Sequence, residues 1–169
     1  MRYFALLAAV TAAVALASCA TKRAPEPASS PDASSGLQPQ RPNGPAPGSA
    51  EDFRVNVGDR IFFGLDRSDL TSEARATLER QAAWLRRYSS AQLLVAGNCD
   101  ERGTREYNVA LGARRAAAAR DYLISLGVAG DRIDTVSYGK ERPLDPRSNE
   151  EAWAVNRNAH ANVVSGAVS

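Results

Sequence analysis

The sequence is poor in the residues that carry most catalytic and metal chemistry. Among 169 residues there are two cysteines, Cys19 and Cys99, and one histidine, His160. Two such ligands do not make a zinc site, so no metal and no cofactor is expected. Ser68, Thr104 and Ser137 have no recognisable base, so a hydrolase lacks its parts and no enzyme activity is expected. An excess of one charge is missing too. The chain holds 21 basic and 19 acidic residues, for a net charge of +2. That is too little for a nucleic-acid binder, and no nucleic-acid partner is expected. There is no internal repeat. Proline is scarce in the second part of the chain, because seven of the nine prolines fall within residues 20–50. Large apolar residues are nearly absent from that stretch, Leu37 being the exception, so nothing there can form a core. It reads as a tether, with ends roughly 30 Å apart as a coil and about 95 Å as polyproline II.

What is present starts with Met1-Arg2, a short positive stretch, followed by an apolar run from Phe4 to Leu16. The run is too short for a permanent membrane span and reads as a secretory signal over residues 1–18. Leu16-Ala17-Ser18-Cys19 is similar to the bacterial lipobox. That similarity implies lipidation of Cys19 and cleavage before it. Several acyl chains anchor firmly where one holds only marginally. Ala20 follows the cysteine, with no Asp there, which resembles the pattern of outer-membrane sorting. The expected layout is a signal (1–18), a lipidated cysteine with its Pro/Ala/Ser-rich disordered tether (19–50), and one domain (51–169). With Cys19 lipidated, Cys99 has no partner, and the domain must fold without a disulfide.

Within the domain, Arg60 to Phe63 reads as a strand, and Thr71 as the N-cap of a helix over 72–88. Leu93 to Ala96 reads as a buried strand and residues 106–126 as a long helix stopped by Gly127. Ile133 to Tyr138 reads as a third strand. Ser148 with Glu151 is expected to cap a short helix, and Ala159 to Val164 a final strand. This βαβαβ-(α)β order predicts an α+β two-layer sandwich, with helices on one face of a mixed four-stranded sheet.

The Gly97–Arg115 stretch joins the second strand to the long helix through a glycine-bounded, charged loop. Counted at 100° per residue from Tyr107, residues Tyr107, Leu111, Ala118, Ala119, Tyr122, Leu123 and Leu126 fall within an arc of about 160°. Arg114, Arg120 and Asp121 lie opposite. Arg115 sits near 80° on that count, in the middle of the apolar arc. A guanidinium pointing inward needs a partner. Asp100, Glu101 and Glu106 are the nearest acids in sequence. Two readings stay open. Either Arg115 and Asp100 form a structural ion pair, or they stand apart and grip a zwitterion, its carboxylate in the Arg115 fork and its ammonium on Asp100.

The residues Gly97-x-x-Asp100-Glu101-Arg102-Gly103-Thr104-x-Glu106-Tyr107-Asn108, then Leu111-Gly112-x-x-Arg115-Ala116, Tyr122 to Val128, and Ser137-Tyr138-Gly139-Lys140-Glu141-Arg142-Pro143 closely resemble the OmpA C-terminal-like family. The resemblance spans about residues 61–164. It implies a non-covalent binder of peptidoglycan, in which Asp100 and Arg115 hold the amino and carboxylate groups of meso-diaminopimelate in the stem peptide. Arg102, Thr104 and Leu111 are then expected to line the pocket, Asn108 to brace the loop, and Leu65 and Asp66 to form another wall. It also implies an outer-membrane lipoprotein of the Tol envelope system, with its domain in the periplasm. Such a protein couples the outer membrane to the wall at division, and TolB competes with peptidoglycan for it. A second reading is a protein-binding envelope scaffold in which Asp100 and Arg115 pair structurally. The chain departs from the family pattern at Gly64, Asn98, Cys99, Asn158 and His160.

Overall fold

Apolar alternation along four short runs builds a single mixed sheet. The structure, a computed structural model, describes residues 44–167. The signal, Cys19 and the tether up to residue 43 lie outside the described residues. The chain enters through a helical turn, α1 (Ala50–Asp52), capped by the Ser49 hydroxyl and continued by a π-helical turn, Phe53–Gly58. The elements that follow are β1 (Arg60–Phe62), α2 (Ser72–Arg87), β2 (Gln92–Asn98), α3 (Arg105–Ser125), a 3₁₀ turn (Gly130–Arg132), β3 (Ile133–Gly139), α4 (Glu150–Asn156) and β4 (Asn158–Ser165).

The sheet order is β1-β4-β2-β3. β4 runs antiparallel to both β1 and β2, whereas β2 and β3 are parallel. Ile61, Leu93, Val95, Ile133, Ala159 and Ala161 point to one face, where they meet Leu78 and Leu85 of α2 and Ala116, Ala119 and Leu123 of α3. The predicted two-layer sandwich is the observed one. The direction of the strands places the site. β1, β2 and β3 all end at the same edge of the sheet, and β4 begins there, so the 63–71, 99–104 and 140–149 loops and the α4–β4 junction converge on one end.

Thr71 and Thr104 cap α2 and α3 by accepting the N–H groups of Ala74 and Tyr107. Gly97 and Gly112 bring β2 and α3 together. A Cβ on Gly97 would run into the carbonyl of Gly112, and one on Gly112 into the Ser137 hydroxyl. This close approach fixes α3 on the sheet one turn before Arg115.

Two expectations are corrected, and one element is new. The cap of α4 is Asn149, not Ser148: its side chain accepts the Ala152 N–H at 2.9 Å. Tyr107 does not join the buried arc but is 43% exposed, because it borders the open cleft with Leu65 and Arg102. The helical entry at 50–58 has no counterpart in the sequence reading. It is held by Asp52, whose Oδ2 accepts both the Gly48 N–H and the Trp84 indole N–H at 2.9 Å.

Candidate functional site

The charged loop after β2 delivers Asp100 into the loop end of the domain, and the first three turns of α3 deliver Asn108, Leu111 and Arg115. Both charges are buried, as the helical periodicity required of Arg115: its exposure is 0% and that of Asp100 5%. They form no ion pair with each other. Each has its own set of partners.

Arg115 is enclosed by main chain. Nε donates to the Arg67 carbonyl at 2.8 Å, Nη1 to the Asn98 carbonyl at 2.8 Å and to Cys99 Sγ at 3.4 Å, and Nη2 to the Gly64 carbonyl at 3.0 Å. The Phe63 ring lies 5.2 Å from its guanidinium carbon. Burial pulls its pKa below the ordinary value, with Cys99 and Asp100 opposing, but a guanidinium stays charged. A guanidinium has five N–H donors, and these bonds occupy four. The bidentate fork expected for a ligand carboxylate is therefore not open: one N–H, on Nη2, is left.

Asp100 is held by side chains. Arg102 Nη2 donates to Oδ2 at 2.7 Å and Arg102 Nε to Oδ1 at 3.3 Å, while the Arg102 main-chain N–H reaches Oδ1 at 3.1 Å. Arg157, just before β4, donates to Oδ2 at 3.3 Å. Burial works to raise the Asp100 pKa, but the Arg102 and Arg157 bonds outweigh it, and the net direction is down. Arg157 is itself buried and also holds Glu150 and the Phe63 carbonyl. It escaped the sequence reading because it lies 57 residues from Asp100 and outside the charged loop.

Asn108 braces the loop as expected, its amide donating to the carbonyls of Arg102 at 2.7 Å and Thr104 at 3.1 Å. Cys99 is buried, and its thiol donates to the Asn108 carbonyl. Burial pushes that thiol upward in pKa despite the nearby Arg115, so it stays protonated at neutral pH. Lys140, from the loop after β3, secures the Asp100 loop from outside by donating to the carbonyls of Glu101 and Gly103.

Leu65, Asp66, Asp100, Arg102, Asn108, Leu111 and Arg115 all line one cavity, joined by Cys99 and Arg157. Its volume is about 10 Å³, roughly the room one water needs. Thr104 is the exception: it caps α3 from an exposed position and does not line the cavity. Beside the cavity opens a cleft of about 320 Å³ between Leu65, Asp66, Arg102, Gly103 and Tyr107. Asp66 holds a left-handed backbone, φ 55°, which turns the 63–71 loop over the site. Among the described residues, no group of three or more His, Cys, Asp or Glu side chains is placed to hold a metal.

The OmpA family model matches residues 62–157 of this two-layer domain. The peptidoglycan-associated lipoprotein of Mesorhizobium japonicum is 50% identical over 97% of this chain and 94% of its own. That of Brucella melitensis is 54% identical over 72% of this chain and 71% of its own. The crystal structure of the peptidoglycan-associated lipoprotein from Burkholderia pseudomallei superposes with a TM-score of 0.60 at 38% identity, covering 62% of this chain and 88% of that one. The chain belongs to the OmpA family and, within it, to the peptidoglycan-associated lipoproteins.

Proposed function

We propose that this chain is an outer-membrane lipoprotein, anchored through Cys19, whose periplasmic domain binds diaminopimelate-type peptidoglycan without chemistry on it. The observation that carries the reading is the pair of buried opposite charges, Asp100 and Arg115, unpaired with each other and facing one cavity. An ammonium suits Asp100. A carboxylate suits the remaining Nη2 N–H of Arg115. Asn108 and Leu111 shape the wall between them, Leu65, Asp66 and Arg102 the wall toward solvent, and Thr104 acts as the cap that starts α3. The names of the relatives support association with peptidoglycan. Within the Tol-Pal system the protein would link the outer membrane to the wall during constriction, with TolB as its direct partner. If TolB and peptidoglycan compete for this end of the domain, each weakens the other by the same factor.

The test is co-sedimentation of the full chain, in detergent, with purified diaminopimelate-type sacculi, with and without the free tripeptide L-Ala-γ-D-Glu-meso-diaminopimelate. Binding that the tripeptide displaces supports the reading. Binding that it leaves unchanged, or none, overturns it. The carbonyl shell of Arg115 favours a second reading, in which that residue only joins loops and the domain docks proteins. A folded chain that does not bind sacculi would favour that reading.

A further inference from the structure

Arg102 occupies the place where a ligand's ammonium would sit. Its guanidinium covers both oxygens of Asp100, and its side chain, with Leu65 and Asp66, separates the one-water cavity from the open cleft. With Arg102 and Arg157 both on its oxygens, Asp100 has no acceptor position open to a ligand ammonium while Arg102 stays there. Its surroundings differ from those of the other arginine on Asp100. Arg157 has a side chain 9% exposed, held on three sides. The Arg102 side chain is 34% exposed. Its main chain is fixed by the N–H bond to Asp100 and by the Asn108 amide on its carbonyl, so motion is confined to the side chain.

A second carboxylate is already within reach of that side chain. Glu150, at the start of α4, has a carboxylate oxygen 3.7 Å from Arg102 Nη1, with a side chain 63% exposed. Trp153, one turn on, lies with its ring centre 4.1 Å from the Arg102 guanidinium carbon. Its indole N–H is anchored at 3.0 Å to Glu101 of the same loop. A guanidinium stacked on an aromatic face keeps its attraction as it slides across it, so the Trp153 ring connects the two carboxylates.

We propose, resting on the peptidoglycan reading above, that Arg102 is a gate and that Glu150 and Trp153 are its positioning residues. In the free protein Arg102 stands in for the ligand ammonium on Asp100. Ligand entry exchanges one cation for another there, and Arg102 moves along Trp153 to Glu150. The charge around Asp100 is conserved in the exchange, and α4 becomes part of the binding cycle without touching ligand.

The test is stopped-flow association of L-Ala-γ-D-Glu-meso-diaminopimelate, carrying a fluorophore on its alanine amine, with the full chain, its rate read by fluorophore anisotropy and the tryptophan emission followed separately with unlabelled tripeptide. Arg102→Ala should associate faster by roughly tenfold, as for a gate open about one-tenth of the time. Arg102→Lys, which pairs without the fork, should fall between. Glu150→Gln should slow association. The emission change on binding should vanish in both Trp153→Phe and Arg102→Ala. Far-ultraviolet dichroism would check that each variant folds. Unchanged or slower association in Arg102→Ala, or no Trp153 response in the unaltered chain, overturns the gate while peptidoglycan binding stands. Failure of the unaltered chain to bind tripeptide or sacculi removes both.

Discussion

Asp100 and Arg115 line the same cavity with opposite charges, yet they are held by different chemistry. Asp100 is neutralised by two side chains, one of them a third exposed. No carboxylate touches Arg115; three carbonyls and a thiol accept its hydrogen bonds. Side chains can rotate away from a carboxylate at small cost. Carbonyls in three separate loop positions cannot leave a guanidinium without moving the chain. In the proposed binding the acid half of the site is the exchangeable one and the base half is structural. On the proposed reading, a zwitterion would exchange cations on one side and take up a spare N–H on the other.

The largest effect that separates the two halves is on stability. Arg115→Ala strands the carbonyls of Gly64, Arg67 and Asn98 and leaves a void, and should cost about 3–5 kcal/mol. Urea unfolding would measure it, and sacculus binding should be lost as well. Asp100→Ala should also abolish binding but cost less, about 1–3 kcal/mol, because Arg102 can turn to solvent and Arg157 keeps Glu150. Equal losses for the two substitutions would break the comparison.

Acid should distinguish the halves next. The Asp100 pKa is lowered in the fold, so its contribution to stability is complete above its ordinary value of 3.8 and is lost as pH falls through the lower folded value. The partners of Arg115 are carbonyls, and a thiol raised by burial, so they do not titrate in that range. Thermal unfolding from pH 6 to pH 2 should show this acid loss, and Asp100→Asn should flatten it. The smallest effect is expected at Cys99→Ala, about 1 kcal/mol or less by the same unfolding assay, because Arg115 Nη1 keeps the Asn98 carbonyl.

Much of the scaffold is readable from local signals. Thr71 and Gly127 mark helix ends, and the apolar runs 61–63 and 93–96 and the alternation of Ala159, Ala161 and Val163 mark strands. The inward position of Arg115 follows from helical periodicity alone. Its partners do not, because the Gly64 and Arg67 carbonyls arrive from about fifty residues away and main-chain acceptors have no residue signature. Arg157 is hidden for the same reason: only the antiparallel return of β4 brings it to Asp100. The α4 cap was misplaced by one residue because Ser148 and Asn149 can both cap, and which one reaches the Ala152 N–H is decided by the path of the loop. Tyr107 shows the limit of a wheel, which gives the face of a helix but not whether a cleft opens against that face. The 50–58 entry breaks regular periodicity through its π-turn, so its apolar spacing gives no helical pattern.

The division of the site is tested most directly by nitrogen-15 NMR of the arginine Nε–H groups as the full chain is titrated with L-Ala-γ-D-Glu-meso-diaminopimelate. The Arg115 Nε–H, bonded to the Arg67 carbonyl, should stay slowly exchanging and shift little, while the Arg102 Nε–H moves away from its position beside Asp100. Loss of protection at Arg115 with Arg102 unmoved would contradict an exchangeable acid half and a fixed base half.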